Sequence, residues 1–409
     1  MTRIRTAALA IVGLLVASQL LAAQQPGRVV SRIDAVAAAE ARGPRLAIAR
    51  ADTAAASAQL LTARQWQNPT LSASYSKATP NYHYTLEVPL DLPYQRRPRI
   101  GAAVASQRAA RYRFAWEQSA VRMEADTTYT RALAARALAE LAAHAARDAD
   151  SLRRMSVVRR EAGDASDMDV ALATVSAGQA ANQATTDSLA FVSAVLDLQS
   201  VMGLGASRVD ITLADSLAGL PSAPAEQLPA SRLLPVAAAA AQLEAASLTT
   251  TLEQRSVFGT LGIVAGIETG DPSGGEPGRL PTFGVAVPLP LFNRNRGPIA
   301  QARAGEARAR AELTFADVQS RAELVRAQRE WRAASAKVER DRQLVTQADR
   351  VAAMALTAYR EGAASLPNVL EAQRIARDVL AEYVRDMADA WIACAELKVL
   401  TLTAAPSAP

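Results

Sequence analysis

Few side chains in this sequence could do chemistry together. The soft metal ligands are His83, His144 and Cys394, and nothing spaces them as a metal site, which gathers three or four such donors at motif intervals. There is no Gly-rich phosphate loop, no His or Cys cluster and no nucleophile elbow, so no catalysis, resident cofactor or metal centre is expected. Glu87 and Asp91 fall on the polar face of an alternating segment, where carboxylates lining a pore could favour cations. Ser166 with Asp169 three residues on is a capping box, and Gly163 just before it is placed as a helix stop. These last groups shape the chain and have no part in chemistry.

The elements that carry them occur twice. At one fixed offset Val88-Pro89-Leu90 aligns with Val287-Pro288-Leu289, Arg97 with Arg296, Gly163 with Gly362, Ser166 with Ser365, Val170 with Val369 and Leu198 with Leu397. Agreement at a single offset over such a length reads as a duplicated module. Each copy is expected to run short helix, β-hairpin, long helix, tight turn, return helix. The boundaries are a first repeat over 24–202, with hairpin 69–92 and helices 98–160 and 166–202; a linker over 203–229; and a second repeat over 230–403, with hairpin 257–292 and helices 298–360 and 366–402.

In the hairpins, Leu71, Ala73 and Tyr75 alternate with Thr70, Ser72 and Ser74, and Tyr82, Tyr84, Leu86 and Val88 with His83, Thr85 and Glu87. The second copy repeats this with Val257, Leu261, Ile263, Ala265 and Ile267, then with Phe283, Val285, Val287, Leu289 and Leu291. Period-2 alternation over about ten residues fits a transmembrane strand, and it equally fits a half-buried sheet under a helix. Aromatics near the loop-side ends and small polar residues on the other face favour the membrane. Four strands cannot close a barrel, and open edges cannot sit in lipid, so the chain would have to oligomerise, as a dimer of eight strands or a trimer of twelve.

Beyond each hairpin lies a long stretch free of internal proline. In the second, Leu324, Trp331, Val338, Val345, Ala352 and Tyr359 recur every seven residues, and Ala327, Ala334, Ala348 and Ala355 fill a second seam position that Asp341 interrupts. Small seam residues let helices approach closely. The composition agrees, with half the residues apolar but only 4% aromatic.

The N-terminus carries Arg3 and Arg5, an apolar run from Ala7 to Val16 and small residues at Ala22-Ala23, which reads as a signal peptide over 1–23. No cysteine follows that run, so no lipid anchor on a mature N-terminal Cys is expected. A formal charge of +5 with acids and bases interspersed gives no sign of nucleic-acid binding. Residues 404–409 read as a disordered tail.

The "NPTL" lead-in at Asn68–Leu71, the "VPLPLFNRNRGPI" exit from Val287 and the "YREGAASLPNVLEAQ" turn from Tyr359 resemble the TolC family of outer-membrane efflux channels, most of all its cobalt, zinc and cadmium resistance branch. The resemblance implies a mainly α fold with a membrane part: a homotrimer whose twelve-stranded β-barrel sits in the cell outer membrane and continues as an α-helical barrel into the periplasm. It implies a periplasmic adaptor protein and an inner-membrane transporter of the RND type as partners. Carried over by position, the periplasmic gate falls on Asp169, Tyr359 and Glu371, with Ala364 and Asn368 departing from the family's pattern. The turns at Gly163, Asp164, Ser166, Gly362 and Ser365 become docking sites, and Pro89, Pro98, Pro288 and Pro298 the joint between barrel and tunnel. Metal ions, drugs and secreted polypeptides all remain open as cargo. A periplasmic coiled-coil scaffold or adaptor is the rival that long helical hairpins allow.

Overall fold

The computed structural model describes residues 28–205, 211–222, 233–270 and 278–403. The signal-peptide and tail readings, much of the linker and the tip of the second hairpin loop lie outside them. In chain order the elements are β1 (Arg28–Val30), α1 (Arg32–Arg42), α2 (Pro44–Arg64), β2 (Thr70–Tyr75), β3 (Tyr82–Leu90), α3 (Pro93–Glu161), α4 (Asp167–Val201), β4 (Ile211–Leu213), α5 (Leu234–Arg255), β5 (Leu261–Thr269), β6 (Leu280–Ala286), α6 (Arg296–Arg360) and α7 (Leu366–Leu400). No helix among the described residues is long and apolar enough to cross a membrane.

The duplication is visible in the helices. The two return helices, α4 and α7, each have 35 residues, and the long helices α3 and α6 have 69 and 65, so that α3 runs about 100 Å at ~1.5 Å per residue. Each long helix ends in the same motif. Gly163 at φ +87° and Gly362 at φ +76° adopt the left-handed conformation that Gly takes without a Cβ clash. The Asp164 and Ala363 N–H groups each donate to the carbonyl five residues back, at 2.8 Å, while the glycine N–H groups donate to the carbonyl three back. These Schellman turns satisfy carbonyls that a helix end leaves bare.

By contact the chain divides into two units. One comprises residues 45–119, 225–325 and 400–409, and holds a four-stranded antiparallel sheet ordered β2-β3-β5-β6. The two hairpins, far apart in sequence, meet where β3 pairs with β5 from Tyr82↔Thr269 to Leu90↔Leu261. Beside the sheet, α2, the start of α3 and α5 pack through small residues such as Ala56, Ala105, Ala109 and Ala241.

The other unit comprises residues 1–44, 120–224 and 326–399. Here the segment expected to be a linker, 203–229, contains β4, which pairs in parallel with β1. Three residues alternating buried, exposed, buried carry too little pattern to stand out in a proline- and serine-containing run. The pair sits on a core of Val30, Tyr129, Leu133, Val195, Leu198, Ile211 and Leu213. The buried Tyr129 hydroxyl lies 3.0 Å from the Val30 carbonyl and 2.9 Å from an Asp215 oxygen that also accepts the Arg32 N–H at 2.9 Å. Burial and the Asp215 carboxylate push the Tyr129 phenol up to about 12. Arg32 pairs with Asp126 and lies between the Tyr129 and Trp391 rings, 5.5 and 4.4 Å from their centroids.

Three boundaries differ most from expectation. Strand β5 begins at Leu261, and Val257, expected on its apolar face, lies in a 3-10 turn over Ser256–Phe258 that Gly259, at φ +62°, ends. Helix α3 begins at Pro93, five residues before Pro98, which is therefore an interior proline. A proline there leaves the carbonyl four residues back, that of Tyr94, without its helical donor; Arg255 Nη1 supplies one at 2.8 Å. Strand β6 stops at Ala286, so Val287, Leu289 and Leu291 lie beyond the ladder, because Pro288 and Pro290 have no N–H to pair.

Replacing Tyr129 with Phe leaves a buried carbonyl and carboxylate short of a donor, a loss of about 1–3 kcal/mol. Amide exchange at Ala214, whose N–H bonds the Val30 carbonyl at 2.9 Å, is expected to quicken by about tenfold or more, while exchange in β3 and β5 stays unchanged.

Candidate functional site

The register of the four-stranded sheet sorts its residues into two faces. Leu71, Leu86 and Ala265 align across three strands and Ala265 continues to Phe283; Tyr84 with Ile267 and Val88 with Ile263 lie on the same side. That face is apolar and uncovered: Leu71 is 72% exposed, Phe283 81% and Val285 68%. A contiguous apolar surface of this kind on a chain in water marks a surface meant for another medium or partner. Tyr75 and Tyr82 pack at 5.3 Å between ring centroids at the loop end. The opposite face carries Thr70, Ser72, Ser74, His83, Thr85, Glu87, Gly262, Gly266, Glu268 and Thr282. Its carboxylates are Glu87 and Glu268, with His83 Nδ1 3.3 Å from Glu268, and none of the four strands contains Lys or Arg.

Asp91 does not join them. Its carboxylate is buried and held by Arg96 at 2.8 Å and Arg99 at 2.6 Å, which neutralises it for any solute and locks the strand end to α3. Pro89 pairs with Gly262 on one side only, since β2 ends opposite Glu87. Pro298 lies in the first turn of α6, where a missing N–H is harmless.

At the other unit's helix tips the expected gate residues take separate roles. The Asp169 carboxylate accepts the Ser166 N–H at 3.0 Å and hydroxyl at 2.8 Å, while Ser166 Oγ accepts the Asp169 N–H at 3.2 Å; this is the capping box, and it occupies the carboxylate. Tyr359 is buried with Leu152 of α3, Ala173 of α4 and Leu366 and Val369 of α7. Arg159 stacks 4.7 Å over its ring and donates to its carbonyl at 2.9 Å. So Tyr359 and Asp169 serve different contacts, and the link between the two hairpin tips is Arg159 on Tyr359. Glu371 is exposed and accepts a bidentate Arg374 at 2.7 and 2.9 Å, which holds its carboxyl below the ordinary range. It lines a cleft of about 830 Å³ between α3, α4, α6 and α7, together with Asp148, Asp349, Asp378 and Arg377. Gly163, Asp164, Ser166, Gly362 and Ser365 are all exposed. No cluster of metal-ligating side chains occurs among the described residues; Cys394 is buried, and burial pushes its thiol up.

Comparison with known proteins turns on the second half of the chain. Residues 231–401 match the outer membrane efflux protein family. No curated protein matches the chain. Its fold is that of several solved channels. The outer membrane protein VceC of Vibrio cholerae is similar at 19% identity with a TM-score of 0.74, over 90% of this chain and 96% of that one. The Campylobacter jejuni CmeC outer membrane channel is similar at 14% identity and a TM-score of 0.74, over 90% and 85%. CusC, described with the conformational changes of its folding and transmembrane channel formation, is similar at 15% identity and a TM-score of 0.75, over 92% and 94%.

Within the efflux-protein match lie β5, β6, α6 and α7, hence Tyr359, Glu371 and the Gly362 turn. Arg159 and Arg255, outside or at the far edge of the sequence patterns, were not legible. Arg159 aligns with Ala358 at the duplication offset, and that departure was its only signal.

Ser166→Ala removes the N-cap and half of the reciprocal box, for a loss of about 1 kcal/mol. The expected reading is faster amide exchange confined to the first turn of α4, at Asp167–Val170, with the Gly362 turn unaffected.

Proposed function

We propose that the chain is the outer-membrane channel of an efflux system, a passive conduit rather than an enzyme. The observation that carries this is the sheet: four strands with two unpaired edges and one uncovered apolar face. In hydrocarbon each bare backbone group costs several kcal/mol, so the edges must close on other copies. Two copies give eight strands and an interior filled by side chains; three give twelve and a lumen that passes solute. A homotrimer with the apolar face in outer-membrane lipid and the polar face lining the pore meets both needs. The helical hairpins then continue the wall as a tunnel, with Pro89, Pro98, Pro288 and Pro298 at the joint.

On this reading the exposed turns at Gly163, Asp164 and Ser166 and at Gly362 and Ser365 dock a periplasmic adaptor, which couples the conduit to an inner-membrane transporter of the RND type. The gate is Arg159 on Tyr359, with Glu371 as an acidic ring and Asp169 as the brace of its turn. The cargo reading that fits best is cationic, heavy-metal ions included, because Glu87 and Glu268 are the charges on the pore face that no Lys or Arg of the strands offsets. No resident metal is required for this.

A charge in mid-sheet separates the two faces. Leu86→Arg, on the apolar face, should cost ~2–4 kcal/mol of insertion near the bilayer midplane and abolish the detergent-stable oligomer in outer-membrane fractions. Thr85→Arg, on the pore face, should leave it intact. A freely soluble wild-type monomer would sink the channel reading.

The cargo reading has its own measurement. In planar bilayers the Glu87→Gln, Glu268→Gln double variant should lower the cation-over-anion permeability ratio several-fold. An unchanged ratio would remove the basis for cationic cargo.

A further inference from the structure

The second seam of α6 is alanine at 327, 334, 348 and 355, with Asp341 between them. Asp341 is only 9% exposed, and Asp386 of α7, within hydrogen-bonding reach of it, 4%. Asp386 Oδ1 accepts Lys337 Nζ at 2.6 Å; the same ammonium reaches Glu382 at 2.8 Å, which also takes Arg385 at 3.2 Å. The second oxygens of both aspartates, Asp341 Oδ2 and Asp386 Oδ2, are buried and have no hydrogen-bond partner. Two buried acceptors side by side with no hydrogen between them repel.

The surroundings decide what fills the gap. From α6, Lys337 and Arg340 face the pair; from α7, Glu382, Arg385 and Asp389; from α3, Arg131 lies near Asp389, and Arg136 and Glu140 line a groove against Tyr383 and Met387. Lys337 is divided between Asp386 and Glu382, and among the described residues no cation forms an ion pair with Asp341. A divalent cation would have to displace that ammonium, and among the described residues no third His, Cys, Asp or Glu completes a ligand set. A proton needs only the two oxygens already there.

We propose that Asp341 carries a proton that bridges it to Asp386, so that the packing of α7 on α6 is tightened in acid and loosened once Asp341 ionises. The hydrogen bond with Asp386, then burial, raises Asp341 from 3.8 to about 6, against the opposing pull of Lys337 and Arg340. The folded state therefore holds the proton more tightly than the unfolded one. The added stability is complete below the ordinary carboxyl value and is lost as pH rises through about 6. The first hairpin supplies a control within the same chain. At the duplication offset Asp341 corresponds to Ala142, itself buried, and Asp386 to Asp187, which accepts Gln183 Nε2 at 2.9 Å.

The test is amide exchange of the full-length protein in detergent at about pH 5 and about pH 7.5, corrected for the intrinsic rate. Segments 334–345 and 382–390 are expected to open several-fold more often at the higher pH, and segments 138–146 and 180–190 equally at both. Asp341→Asn, whose amide can donate to Asp386 at every pH, should abolish the difference and keep the slow rate; Asp341→Ala, copying position 142, should abolish it too and serves if the amide variant folds poorly. A pH difference that survives both substitutions overturns the proposal. So does Mg²⁺ or Zn²⁺ slowing wild-type exchange at the higher pH but not that of Asp341→Ala, since the occupant would then be a metal ion.

Discussion

The rest of the structure depends on a four-stranded sheet left open at both edges and on one face among the described residues. Strands β2 and β6 each present a bare edge, and the face holding Leu71, Leu86, Ile263 and Phe283 lies open. In water such edges invite aggregation, and in lipid each bare amide or carbonyl costs several kcal/mol. In either medium the open edges call for pairing. The same requirement explains why the charged residues at the sheet's helix-side end are spent on structure: Arg96 and Arg99 bury Asp91, and Arg255 takes the carbonyl that Pro98 leaves bare. A strand end that hands over directly to a helix has to be fixed there.

The helical part is built on a different economy. Alanine seams bring backbones close but bury little area per residue, so large stabilising contacts are concentrated at a few points. One is the Tyr129, Asp215 and Arg32 network that ties β1 and β4 to the helices; another is Tyr359 under Arg159 at the tips. Between them, surface ion pairs such as Arg374 with Glu371 and Asp378 are exposed and worth about 0–1 kcal/mol each. They keep the helices soluble more than they hold them together.

What the sequence disclosed follows from which signals are local. Period-2 faces, the Gly163 and Gly362 stops and the Ser166 box depend on residues within a few positions of one another, and all stand in the structure. The heptad positions do as well, with Val338 and Tyr359 buried and the others at least half-buried. What could not be read are contacts made across the chain. The β1 and β4 pairing joins three residues at the start of the first repeat to three in the segment that reads as a linker. Arg255 rescues a proline about 160 residues away in sequence, and Asp91 looked free until its two arginines were placed beside it. Asp169 and Tyr359 likewise stand in local contacts that their spacing in sequence does not show together, the one in its capping box and the other in the core around Leu152.

The duplication also shows where the two hairpins differ. At position 142 the first seam has alanine; at 341 the second has a buried carboxyl whose partner already holds an ammonium. Replacing a buried ionic group with a packed apolar one is often neutral or stabilising by about 1–4 kcal/mol, so Asp341 is not there to make the seam stronger at neutral pH. Its physical consequence is a difference between hairpins that are otherwise alike: the first packs the same at any pH, and the second answers to protons. With both tips meeting at Arg159 on Tyr359, a change in how α7 sits on α6 reaches that contact through Leu366 and Val369, which pack on Tyr359 from the first turn of α7.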